Sequence, residues 1–321
     1  MVGLPALVGE LKAAGEPTRL RLLALLAEGD LSVKDLTDIL GQSQPRVSRH
    51  LKLLADAGLV QRNAEGAWAY YGLTERAGGG LAQWLIAQLD MNDPQRRRDK
   101  AELDRVRASQ QDQAAQYFAK VAQSWDLLRS LHVPESSIEA EIKALTAGRH
   151  IDMLLDLGTG TGRMLELLAE HYRRGLGIDS SREMIAVARA KLASASIGHA
   201  QVRLGDIGAL DGVGERADLI VLHQVLHYFD DPGRMLLQAR QALKSGGQML
   251  VVDFAPHDLE FLRNEHAHRR LGLSPQHMAG WARAAELEVT TFKDFPSGHA
   301  QGLTVCLWVL ADRAEAARKA A

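Results

Sequence analysis

The stretch Leu154-Leu155-Asp156-Leu157-Gly158-Thr159-Gly160-Thr161-Gly162 constrains this chain more than any other. An apolar strand ends in an acid, and three glycines then alternate with threonines before a helix begins. A turn from strand to helix needs positive or unusual φ values, which glycine adopts without a Cβ clash. A side chain there would also hold a ligand away from the backbone. The pattern therefore asks for an α/β unit with the glycines at the carboxyl end of a strand, where open sheets bind adenosine-type ligands. The spacing is G-x-G-x-G, and a dinucleotide G-x-G-x-x-G would need glycine where Arg163 stands.

Further elements follow in order. Arg174 to Asp179 is a second short strand ending in an acid, 21 residues past Gly158. In doubly wound sheets that position bonds ribose hydroxyls. Gln201 to Ile207 is a third strand closing on Gly205-Asp206, Ala217 to Tyr228 holds a fourth, and Leu243 to Asp253 is a Gly-Gly turn into a fifth. Taken alone, Asp179 and Asp206 also suit plain helix or turn caps.

This order resembles the class I S-adenosylmethionine-dependent methyltransferases over residues 110–311. The resemblance implies a doubly wound Rossmann-like sheet binding S-adenosylmethionine or S-adenosylhomocysteine. Asp156, Gly158, Gly160 and Gly162 would surround the methionine part of that cofactor, Asp179 would hold the ribose, and Asp206 with Ile207 would frame the adenine. Thr159, Ser180, Met184 and His223 complete the candidate cofactor set. His223, His227 and Tyr228 follow the fourth strand and face the place of a small-molecule methyl acceptor, in a segment relatives use for pocket shape. No residue stands out as the catalytic base.

At 321 residues with 46% hydrophobic and 24% charged residues, the chain suits two globular domains. A net charge of −2 argues against a general polyanion binder while leaving room for a local basic surface. The single Cys306 rules out an internal disulfide and fits a reducing cytoplasm. It sits in Leu303 to Leu310, which reads as a buried strand. No run reaches the roughly 18 apolar residues of a membrane span, and Met1-Val-Gly-Leu-Pro5 lacks the form of a signal peptide.

The first third reads differently. Glu16-Pro17-Thr18-Arg19 opens a helix, with Leu20, Leu22, Leu23, Leu25 and Leu26 as a broad apolar face. Asp30-Leu31-Ser32 caps a helix from Val33 to Leu40, Gly41 breaks it, and Ser43 or Gln44 starts another running to Ala57. Leu59 to Arg62 and Trp68 to Leu73 are short strands around a turn at Asn63-Ala64-Glu65-Gly66, and a helix from Thr74 to about Leu89 closes the unit. Helix, turn, helix and hairpin make a winged helix-turn-helix. In the helix after Gly41, Val47, Leu51 and Leu54 share an inward face. Ser43, Gln44, Arg46, Ser48, Arg49, His50 and Lys52 are the candidate DNA contacts. Arginine bonds guanine bidentately, glutamine reads adenine, and serine or lysine holds phosphates.

Pro17-Thr-Arg-Leu-Arg-Leu-Leu23, Ser43 to Val60 and Tyr70-Tyr71-Gly-Leu73 together resemble the ArsR-type transcriptional repressors. The resemblance implies a homodimer, joined through the first and last helices of the unit, on a near-palindromic double-stranded operator. Metal-sensing members carry cysteines on the helix that starts near Asp30, where this chain has Ser32 and Lys34. Others use histidine and acids on the closing helix, and residues 74–90 contain no histidine. Without thiolate or imidazole ligands, no metal is expected.

The expected domains are a winged helix over 1–92, a helical linker over 93–115, a methyltransferase-like domain over 116–311 and a tail over 312–321. Pro94 ends the preceding helix, and Arg96 to Arg98 form a solvated basic cluster in the linker. Phe118 and Trp125 lie seven residues apart on one helix face, either over the cofactor or as core. His266 and His268 would point about 200° apart on a helix, a poor chelate, so Glu265, His266 and His268 read as a polar helical face. Glu286 stands where the methyltransferases often end a helix with glycine. Two functions fit. One is a cytoplasmic regulator that couples the level of a methyl-cycle metabolite to transcription. The other is an active small-molecule methyltransferase whose winged helix serves autoregulation or dimerisation.

Overall fold

The computed structural model describes residues 3–65, 68–74, 80–122, 135–208, 210, 216–297 and 302–312, and they form two compact units, 1–113 and 114–321. The first unit begins with α1 (Leu4–Ala14) and α2 (Pro17–Leu26), followed by β1 (Leu31–Ser32) and α3 (Val33–Leu40). α4 (Gln44–Asp56), β2 (Val60–Glu65), β3 (Trp68–Leu73) and α5 (Leu81–Ala87) come next. Ser32 and Asp35 form a reciprocal capping box on α3, and Gly41 ends that helix in the left-handed conformation, φ 62°. Leu22, Leu36, Val47, Leu51 and Leu54 are fully buried in one core. β3 lies between β1 and β2, antiparallel to both.

The hairpin is longer than its sequence suggests. Asn63, Ala64 and Glu65 are not a turn but pair with Tyr70, Ala69 and Trp68, and Gly66 of the expected turn lies outside the described residues. The closing helix is described only as Leu81–Ala87. Pro94 does not end a helix; it opens α6 (Pro94–Val121), with Asp93 accepting from Gln95 N–H and Arg96 N–H, both at 2.9 Å. The start of α6 packs into the first unit. Asp99 takes both Arg21 donors at 2.7 Å, and Leu103 is fully buried.

In the second unit α7 (Glu135–Thr146) precedes β4 (Ile151–Leu157), α8 (Arg163–Leu167), β5 (Tyr172–Asp179), α9 (Arg182–Ser194) and β6 (Ala200–Leu204). β7 (Ala217–His223), a 3₁₀ turn at Leu226–Tyr228, α10 (Pro232–Gln241) and β8 (Leu243–Phe254) continue it. α11 (Phe261–Glu265), α12 (Pro275–Ala284), β9 (Leu287–Phe295) and β10 (Val305–Asp312) complete it. The seven-stranded sheet has the order β6-β5-β4-β7-β8-β10-β9, parallel through β8, with β10 antiparallel to both β8 and β9. Successive residues alternate between two cores. Leu155, Ile220, Val251 and Trp308 face α10 and α12, while Leu154, Val221, Val252 and Leu307 face α7, α8 and α9. Covering both faces explains why these strands read as continuous apolar runs.

β9 was not foreseen. Its Thr290, Thr291, Lys293 and Asp294 lie among few apolar residues because it is the sheet's outer strand, with one edge unpaired. Glu286 precedes it at φ 58°, so the left-handed turn is kept although a residue other than glycine stands there.

Candidate functional site

The glycine turn is built by the carboxyl ends of β4 and β5. Gly158, Gly160 and Gly162 have φ values of 73°, 51° and 81°. Gly158 shows why side chains are barred: a Cβ there would sit 2.4 Å from Val225 Cγ2. Gly158 N–H and Thr159 N–H both donate to Ile178 O, which ties the turn to β5. Asp156 is 1% exposed and accepts from Thr159 Oγ1–H at 2.6 Å.

Asp179 stands at the end of β5. Its Oδ2 accepts Gly160 N–H at 2.8 Å and its Oδ1 accepts Ser181 N–H at 2.9 Å. Burial raises its pKa, against backbone N–H donors from Ser181, Gly160 and Ser180. Ser180 is exposed and Met184 is buried in the first turn of α9, where its N–H is capped by Ser181. After β6, Asp206 is exposed and folds back on Gly208 N–H at 2.7 Å, while Ile207 is 6% exposed. His223 is half-buried at the end of β7. Asp156, the glycines, Thr159 and Asp179 thus share one turn, with Ser180 and Met184 beside it.

Around the segment after β7 the structure gathers aromatic and imidazole groups. The Phe118 ring meets Tyr228 edge-on at 4.9 Å, and Tyr117 Oη lies 2.7 Å from His266 Nδ1. Burial pushes the Tyr117 phenol up to about 12. Trp125 lies outside the described residues. His266 and His268 do not form a polar helical face. α11 ends at Glu265, Ala267 takes φ 57°, and His268 turns inward, 7% exposed, with its ring centroid 4.1 Å from that of His227. Helical spacing fails there because the helix has stopped. Sequence reasoning also gave Asp253 no role, yet it is fully buried against His227; its signal was an acid closing the apolar run of β8.

In the first unit α4 presents Gln44, Arg46, Arg49 and Lys52 to solvent, with Ser48 half-buried and Val47, Leu51 and Leu54 beneath. Ser43 precedes the helix, exposed, and its hydroxyl makes no capping hydrogen bond. His50, on the same helix, is half-buried, with its Nδ1 3.5 Å from Glu16 Oε2 at the start of α2. Among the described residues no group of three or more histidines, cysteines and acids is arranged to hold a metal ion, and no helix is long and apolar enough to cross a membrane.

Known proteins resemble the two units separately. The family described as bacterial regulatory protein, arsR family, matches residues 16–62, and a methyltransferase domain family matches residues 152–290. An uncharacterized HTH-type transcriptional regulator of Methanocaldococcus jannaschii is 48% identical over 61 residues, 19% of this chain and 68% of the relative. The trans-aconitate 2-methyltransferase of Deinococcus radiodurans is 30% identical over 161 residues, 50% of this chain and only 55% of the relative's length. The N-methyltransferase NodS of Bradyrhizobium japonicum, solved with S-adenosyl-L-homocysteine, covers 56% of this chain and 88% of its own at 18% identity and a TM-score of 0.47.

Proposed function

Because the chain belongs, through its first unit, to the arsR family of bacterial regulatory proteins and carries a methyltransferase domain behind it, we propose that it is a DNA-binding transcriptional regulator whose second unit binds S-adenosylmethionine or S-adenosylhomocysteine and thereby adjusts its affinity for an operator. The observation that carries this reading is the turn of Gly158, Gly160 and Gly162 closed against Asp179. The turn leaves backbone where a Cβ would otherwise stand, and it puts a carboxylate at the end of the second strand. Asp179 would take the ribose hydroxyls, Asp156 with the glycines and Thr159 would lie along the methionine part, and Ile207 would cover the adenine. Ser180, Met184, Asp206 and His223 flank these places. No metal is needed for either role.

On the DNA side, Ser43 just before α4 and Gln44, Arg46, Ser48, Arg49, His50 and Lys52 on it are the proposed contacts. A homodimer would present two such helices to successive major grooves. Its seam is proposed on α1, where Leu4, Leu7, Val8 and Leu11 are 76%, 37%, 38% and 44% exposed, and on α5, where Trp84 is 59% exposed. Calorimetry with each cofactor form, and selection of duplexes from a random pool, test the two halves. Micromolar or tighter cofactor binding and enrichment of a near-palindromic site are expected. Failure of the pool to enrich any duplex would remove the regulator reading.

A further inference from the structure

The buried histidines behind Tyr228 hold a proton-transfer arrangement that cofactor binding alone does not require. His227 is 1% exposed and Asp253 is fully buried, and Asp253 Oδ1 lies 2.7 Å from His227 Nδ1. The same carboxylate accepts His227 N–H at 3.2 Å and Phe254 N–H at 2.8 Å. An ionised carboxylate only accepts, so Nδ1 carries the proton and Nε2 presents its lone pair. That Nε2 is buried and has no hydrogen-bond partner among the described residues. A buried polar group left so is unfavourable, which asks for a ligand that completes it.

His257 is the complement. Its Nδ1 accepts Leu259 N–H at 3.2 Å, so its Nε2 carries the proton, and this donor is also buried without a partner among the described residues. Both rings lie against Phe254, at 5.1 Å for His227 and 6.2 Å for His257. An acceptor nitrogen and a donor nitrogen beside one aromatic residue suit a group that both gives and takes a hydrogen bond. A hydroxyl does this; a carboxylate does not.

The surroundings fix His227 in place. Arg269 N–H and Arg270 N–H both donate to His227 O at 2.9 Å, and Arg269 pairs with Asp230 Oδ1 at 2.7 Å. The His268 ring lies against that of His227 at 4.1 Å, tilted by 32°. Gly272, at φ 87°, lets this segment close on β8, since a Cβ there would meet Ala255 O at 2.1 Å. Val225, two residues before His227, packs against Gly158 of the cofactor turn.

We propose that His227 is the proton acceptor for methyl transfer to a small molecule bearing a hydroxyl, with Asp253 as its positioning residue and His257 as a donor to the same oxygen. The proposal rests on the reading that the second unit binds S-adenosylmethionine, which supplies an electrophilic methyl group. The sulfur–methyl bond breaks with its electron pair left on sulfur, the acceptor oxygen bonds the methyl carbon, and the hydroxyl proton passes to His227 Nε2 and later to solvent.

Nitrogen-15 NMR of the histidine-labelled full chain reads the arrangement without turnover. The wild type should show His227 protonated at Nδ1 and bare at Nε2, and Asp253→Asn should remove that preference. A proton on Nε2 in the wild type overturns the proposal. In parallel, methyl label from S-adenosylmethionine is followed into a small-molecule extract of the native host. His227→Asn keeps a donor towards Asp253 while deleting Nε2, so transfer should fall about 100-fold or more with cofactor affinity unchanged. Equal transfer by this variant, or a wild type that binds cofactor and labels nothing, overturns the base assignment alone. A wild type that binds no cofactor in calorimetry overturns it together with the proposed function.

Discussion

Asp179 carries the heaviest burden of any single residue. Its carboxylate already accepts two backbone N–H groups at 2.8 and 2.9 Å, and the proposed ribose contact adds to these. Asp179→Ala should weaken S-adenosylmethionine binding by about 1.5–3 kcal/mol, ten-fold or more, since hydrogen bonds to charged groups contribute that much. Operator binding without ligand should stay within two-fold, as anisotropy would show. Glu286 offers a stability test: it holds φ 58°, where glycine is free of the Cβ clash, so Glu286→Gly should raise the second unit's stability by about 0.5–1 kcal/mol in denaturant titrations. His257 and His268 offer another. Burial lowers both, His257 to about 4 from the ordinary 6.5 and His268 well below its ordinary value. The unfolded chain binds these protons more readily, so stability should be full above pH 6.5 and decline as pH falls towards 4. Thermal melts across that range check the sign. At this scale Asp156, Asp179 and the glycines were legible because each answers a local geometric demand. Asp253 and His268 were not, because their meaning comes from partners 26 and 41 residues away in sequence.

α4 is the element on which the proposed DNA recognition turns. Its inward residues Val47, Leu51 and Leu54 are fully buried, which leaves Arg46, Arg49 and Lys52 at the surface by helical spacing alone. Arg49→Ala should cost about 1–3 kcal/mol of operator affinity if the side chain reads a base, and should relax specificity at one position of the selected site. A phosphate contact would instead weaken all sequences alike and lower the salt dependence by about one unit. Leu51→Ala should destabilise the first unit by about 2–5 kcal/mol through the cavity it leaves. Amphipathic helices such as α3 and α4, and central strands such as β4 and β7, announce themselves in sequence because one pattern fixes the face they bury. β9 escaped notice because a polar outer strand carries little of that pattern. The hairpin looks short in sequence because Asn63 and Glu65 resemble turn residues, although pairing extends β2 to Glu65.

The whole molecule joins an arsR-family unit to a methyltransferase domain in one chain, and the first part of α6 belongs to the first unit through Arg21, Asp99 and Leu103. The sequence made both units readable because each carries its own ordered motifs. It left the division between them less so: the charged run from Arg96 to Lys100 reads as linker, yet Asp99 is 5% exposed and paired. Thermodynamic coupling between the cofactor turn and the operator is what the proposed function requires. If cofactor changes operator affinity by some factor, operator must change cofactor affinity by the same factor. The deciding measurement is calorimetric titration of S-adenosylmethionine and of S-adenosylhomocysteine into the full chain, with and without the selected operator duplex. At least one form should bind with an affinity shifted about five-fold or more by DNA, equal to its effect on DNA affinity. Identical cofactor affinities with and without operator, for both forms, would contradict it.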